Sequence, residues 1–175
     1  KELEKGETTM SGPIARTVGL ALMVALSLVG RPSDVCADGV VLTLRQLDRT
    51  GATVATTDYT MPQLEALGLA EVVTSTPWTQ GKIAFQGVPL VKLIGGASRA
   101  GELKAIALND YSASLPLDDA GRFGVILATR MSGKSMAVKD KGPLWIVYPL
   151  DGFPELNNQR VHARMVWQVR FLEFQ

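Results

Sequence analysis

"STPWTQGKIAFQGVPLVKLI", Ser75 to Ile94, is the stretch whose reading decides the fold. It reads as a turn, a short strand over Lys82–Gly87, a Gly87-Val88-Pro89 corner and a helix start. Leu90, Leu93 and Ile94 then fall on one side of a short helix that Gly95-Gly96 stops. At the head stand a hydroxyl pair, Ser75 and Thr76, and the indole of Trp78. Ser and Thr beside turns commonly bond nearby backbone, so the pair reads either as corner chemistry or as a site. Trp78 reads as a lid over a pocket or as a core plug whose N–H needs a partner.

On the N-terminal side, "VVLTLRQL" and "ATVATTDY" flank the turn Asp48–Gly51 and read as a strand pair. "TMPQLEALGL" has a helix signature: Thr60 caps, Gln63 reciprocates, Pro62 fits the first turn and Gly68 ends it. "AEVVTST" is a third strand. On the C-terminal side, "LKAIAL" and "YSASL" flank Asn109-Asp110, "LDDAGRF" is a helical turn, and "GVILATRM" is a strand. "LWIVYP" is apolar on both faces and is expected centrally in a sheet. "MVWQVRFLEF" alternates as a last strand, with Trp167, Val169 and Phe171 on one side. The expected class is α+β, a mixed β-rich domain with a few short helices.

The chain has 175 residues, 46 % of them hydrophobic, enough for one domain with a core. Its 18 basic and 17 acidic residues give no footprint for nucleic acid. Residues 1–37 read as an upstream extension before Met10 followed by a signal peptide. The plan is Arg16, an apolar stretch from Val18 to Val29, a Gly30-Arg31-Pro32 break, and small residues at Val35 and Ala37. An uncleaved anchor is the alternative. Cleavage after Ala37 leaves a periplasmic or secreted domain, 38–175, without Cys36, the only cysteine. With His162 the only histidine, a protein-only zinc site is not expected.

Three pieces, "TSTPWTQGKIAFQGVPLVKLI", "ALNDYSASLPLDD" and "GPLWIVYPLD", precede a strand bearing "VWQV". In that order and spacing they resemble the oxidoreductase molybdopterin-binding domain family, the sulfite-oxidase-like fold, in its small exported form. The resemblance covers roughly Val40 to Phe174. It implies a cofactor cleft, and it also marks two departures. Catalytic members hold molybdenum through a cysteine thiolate before the Gly-Val-Pro-like corner. Here that segment is Thr74-Ser75-Thr76-Pro77-Trp78, and an alcohol is a poor substitute for a soft thiolate. Redox-active members often carry an arginine in the Gly-Pro-Leu strand, where this chain has Trp145.

The resemblance sets Asn109-Asp110-Tyr111 beside the cleft, where an amide, a carboxylate and a phenol together suit the edge of a pterin-like or purine-like ring. As ordinary turn formers they need no such role. Arg160, His162 and Arg164 alternate and, if extended, share one face suited to an anion. The plainer reading is the solvent face of an edge strand. Asp118-Asp119 reads as charge at a helix N-terminus. The candidate ligand-binding residues are therefore Ser75, Thr76, Trp78, Asn109, Tyr111, Arg160, His162 and Arg164, with no catalytic or metal-ligating residue expected. Three functions stay open. The first is an exported module without the redox ligand that binds a small heterocycle or anion, as a sensor or accessory to a membrane sensor or redox partner. The second is a molybdopterin-dependent oxidoreductase using a hydroxyl or solvent ligand. The third is a protein-interaction module.

Overall fold

The computed structural model describes residues 39–96 and 101–175. The expected signal segment, its apolar stretch and Cys36 lie outside the described residues. Among the described residues, no helix is long and apolar enough to cross a membrane.

The first half runs β1 Leu42–Leu47, β2 Thr53–Tyr59, α1 Met61–Glu65, β3 Ala70–Thr74, β4 Ile83–Pro89 and α2 Leu90–Leu93. The second half runs β5 Glu102–Ala107, β6 Ser112–Pro116, α3 Leu117–Arg122, β7 Ile126–Met131 and β8 Lys134–Ser135. It closes with β9 Trp145–Val147, α4 Gln159–Arg164 and β10 Val169–Phe174. One sheet has the order β2-β1-β10-β5-β6, the other β3-β4-β7-β8 with β9 also on β7. All pairs are antiparallel except β1 with β10, where Thr43 faces Phe171 and Gln46 faces Phe174. The β-rich, mixed α+β reading therefore holds.

Local chemistry explains the joints. The Asp48 carboxylate accepts from the amides of Thr50 at 2.8 Å and Ala52 at 3.0 Å, closing the β1–β2 turn. Thr60 and Gln63 form the reciprocal capping box that starts α1. Gly87 lies where β4 crosses β7 so closely that a Cβ would sit 2.2 Å from the Leu127 carbonyl oxygen. The Gly-Val-Pro corner thus needs its glycine for backbone approach. Both sheets feed one core: Leu42, Leu103, Leu115, Val169 and Leu172 from the first, Phe85, Val88, Leu127, Trp145 and Ile146 from the second.

Three expectations change. "LWIVYP" is buried throughout β9, yet β9 pairs only with β7 and makes a single bridge from Trp145 to Trp167. Its other edge is covered by the incoming chain, with Ile146 N donating to Val166 O at 2.9 Å, so burial did not require a central position. The last strand begins at Val169, because Gln168 has a left-handed backbone at φ 55. A register shift between Val169 and Phe171 then turns Leu172 and Phe174 into the core and leaves Phe171 half-buried. Residues 159–164 are helical, capped by Asn158, whose side chain accepts from Val161 N at 3.1 Å. At helical spacing His162 points away from the side shared by Arg160 and Arg164, so the three share no face.

Candidate functional site

A cleft of about 280 Å³ opens where four segments meet. Trp78 comes from the β3–β4 turn, Ala107, Asn109 and Tyr111 from the β5–β6 hairpin, His162 and Ala163 from α4, and Met165, Val166 and Trp167 from the lead into β10.

Each segment is held by bonds that the local sequence supplies. In the β3–β4 turn, Thr76 Oγ1 accepts from Trp78 N at 3.2 Å and meets Thr79 Oγ1 at 3.0 Å. Thr79 Oγ1 in turn accepts from Thr76 N at 3.2 Å, so two hydroxyls fix the turn that presents the indole. In the hairpin, Asp110 takes the left-handed position at φ 64. Asn109 Oδ1 accepts from Tyr111 N at 3.3 Å, an Asx turn. Tyr111 then donates its hydroxyl to Ala163 O at 3.0 Å and ties the hairpin to α4.

Behind α4 lies a network the sequence reading missed. Asp119 is buried; its Oδ2 accepts from Tyr148 Oη at 2.8 Å and from Arg164 Nη1 at 3.1 Å. Burial first, and then the Asp119 charge, push the Tyr148 phenol well above its usual range, so it stays a donor. Trp145 is fully buried and donates Nε1–H to Met165 O at 3.0 Å, fixing the cleft floor. Trp78 meets Trp167 edge to face at 5.0 Å and His162 at 6.2 Å. The Lys141 ammonium lies 5.8 Å from the ring centres of both Trp145 and Trp167.

Of the candidate residues, Trp78, Asn109, Tyr111 and His162 are brought together on the cleft. Ser75 and Thr76 line a separate cavity of about 220 Å³ with Pro77, Leu150 and Asn157. Arg164 turns inward to Asp119 and Arg160 is exposed, so neither guanidinium lines the cleft. Asp119 was legible only as a charge at a helix start. Asp151, the partner of Ser75, stands 76 residues away from it and carried no signal.

The family that the sequence resembles uses a metal-bound cofactor, and the donors here do not fit one. Ser75 Oγ donates to Asp151 Oδ1 at 2.5 Å and Ser75 N to Oδ2 at 3.1 Å. Lys82 stands 3.5 Å from the same carboxylate. Led by the Ser75 hydroxyl bond, these contacts hold Asp151 below the usual carboxylate range. The Thr76 hydroxyl is engaged by Thr79 and Trp78. Among the described residues no group of three or more His, Cys, Asp or Glu could hold a metal ion.

No protein-family model and no curated protein matches this sequence. Among solved structures, the sulfane dehydrogenase SoxCD from Paracoccus pantotrophus is similar over 78 % of this chain, with 18 % identity and a TM-score of 0.55. This chain spans only 38 % of that one. The fold is therefore distantly sulfite-oxidase-like, and at this identity the likeness is one of fold alone.

Proposed function

We propose that this domain binds a small molecule in the aromatic cleft without a thiolate-anchored redox metal, as a sensor or accessory module of an exported protein. One observation carries the reading. The hydroxyls at the position where the resembled family uses a thiolate are spent on Asp151 and Thr79, while the neighbouring cleft keeps about 280 Å³ of room. A molybdopterin oxidoreductase with an alcohol ligand would have to break those bonds and separate Ser75 from a carboxylate already held by Lys82. The two arginines suited to an anion are engaged or outside the cleft, which favours a heterocycle over an oxyanion.

The test is metal analysis of the full chain made in a host competent for molybdenum-cofactor synthesis, together with tryptophan fluorescence. The expected result is far less than one molybdenum or tungsten per chain, and emission that responds to ligand through Trp78. Stoichiometric molybdenum or tungsten that Ser75→Ala or Thr76→Ala removes would end the proposal.

A further inference from the structure

We infer that the cleft takes an uncharged, flat heteroaromatic molecule of one or two rings; this rests on the binding reading above and narrows it. Four lining side chains are rings, Trp78, Tyr111, His162 and Trp167, and no carboxylate, ammonium or guanidinium lines the cavity. Trp78 and Trp167 are set at 80° to one another. A planar guest can therefore stack on one ring while meeting the other by its edge.

Size and charge exclude the competing classes. A volume of about 280 Å³ falls just under the roughly 300–1,000 Å³ of ordinary ligand pockets, which suits a bare ring system and not one carrying a long phosphate arm. An anion would be desolvated without a counter-charge, since Arg164 is committed to Asp119 and Arg160 lies outside the lining. A cation fares no better. The Lys141 ammonium 5.8 Å from the Trp167 ring repels a second positive charge at that ring, and no carboxylate is there to attract one. Asp110, the nearest candidate in sequence, sits in the left-handed turn and does not line the cavity.

The polar groups suit the edge of a heterocycle. Asn109 commits one lone pair to Tyr111 N and retains its amide donors. His162 Nε2 lies 3.0 Å from Asn157 Oδ1, a carbonyl oxygen that only accepts. Nε2 therefore carries the proton, and Nδ1 of the neutral ring is an acceptor. The lining thus carries one amide and one imidazole, side-chain types able to donate to and accept from the edge of a lactam-like ring.

The experiment titrates the full chain at pH 8 by tryptophan fluorescence and calorimetry. The probes are a panel of uncharged one- and two-ring lactam heterocycles such as quinazolin-4-one, a carboxylated counterpart of each, and phenyltrimethylammonium. The expected result is saturable quenching by at least one uncharged ring, at least tenfold weaker binding of its carboxylate and of the ammonium, and at least tenfold loss in Trp78→Ala. Trp78→Leu, which removes the ring and keeps apolar bulk, gives the same comparison if the alanine variant does not fold, and Arg160→Ala leaves every affinity unchanged. A charged probe that binds as tightly as the best uncharged ring overturns the inferred ligand class while leaving the binding reading intact. Failure of every probe to bind folded protein overturns both.

Discussion

At the scale of single residues, Ser75 shows how a hydroxyl beside a turn is put to use. Its hydroxyl and its amide both reach Asp151, so the residue that heads the corner is a brace. Trp145 makes the same point from within the core: it is fully buried, and its one polar atom is satisfied by Met165 O. Trp145→Arg would put a guanidinium in place of a fully buried indole whose one polar contact is a backbone carbonyl. A loss of about 3–5 kcal/mol, the usual cost of an uncompensated buried charge, is expected in urea unfolding. Asp119 is the converse case. Asp119→Ala would strand both the Arg164 guanidinium and the Tyr148 hydroxyl, and a loss of about 3 kcal/mol is expected. Asp119→Asn keeps an acceptor and should lose clearly less. Because Arg164 ends the helix that carries His162, Asp119→Ala should also weaken ligand-dependent quenching of Trp78.

At the scale of elements, the short helices α1 and α4 stand on their caps and cross-ties, since five or six residues cannot hold a helix by propensity. Helix α1 is tied at both ends: by the Thr60–Gln63 box, and by Glu65, whose carboxylate receives Arg130 Nε at 2.9 Å and Nη2 at 2.7 Å. Thr129 adds its hydroxyl to the same carboxylate at 2.8 Å, fastening the helix to β7. Thr60→Ala should cost about 1 kcal/mol and lower the melting temperature by about 4 °C, with the cleft unaffected. A fall several times larger would mean that Thr60 does more than cap.

At the scale of the whole molecule, the ionisable network sets a pH profile of stability. The Arg130 hydrogen bond, the leading cause, holds Glu65 below its usual range, and Asp151 and Asp48 are lowered in the same direction. A carboxylate depressed in the folded state stabilises above its unfolded pKa and loses that contribution as pH falls through the folded value. Denaturation midpoints should therefore be flat near neutrality and decline below about pH 4.5. Glu65→Gln should make the decline shallower; an unchanged acid limb would refute Glu65 as its source. Tyr148 acts in the opposite sense. Its phenol is raised on folding, so stability should fall as pH climbs past about 10, where the unfolded phenol ionises.

The sequence by itself determined the local grammar. The Asp48–Gly51 turn, the Thr60–Gln63 box, the Gly-Val-Pro corner and the Asn109-Asp110 hairpin are each built from neighbours within a few residues, and such bonds are readable from spacing. It also settled the residue types on hand, with one histidine and no cysteine after Cys36. What it could not settle was direction. Residues 160–164 alternate in type and yet coil into a helix, because the Asn158 cap, and not the period of three polar residues, governs that segment. The register shift in β10 likewise exchanged Phe171 for Leu172 in the core. Only tertiary structure joined Ser75 to Asp151 and Asp119 to Tyr148 and Arg164, because side-chain pairing across 29 to 76 residues leaves no periodic trace in the chain. That long-range pairing decided which polar residues brace the fold and which are left to face the cleft.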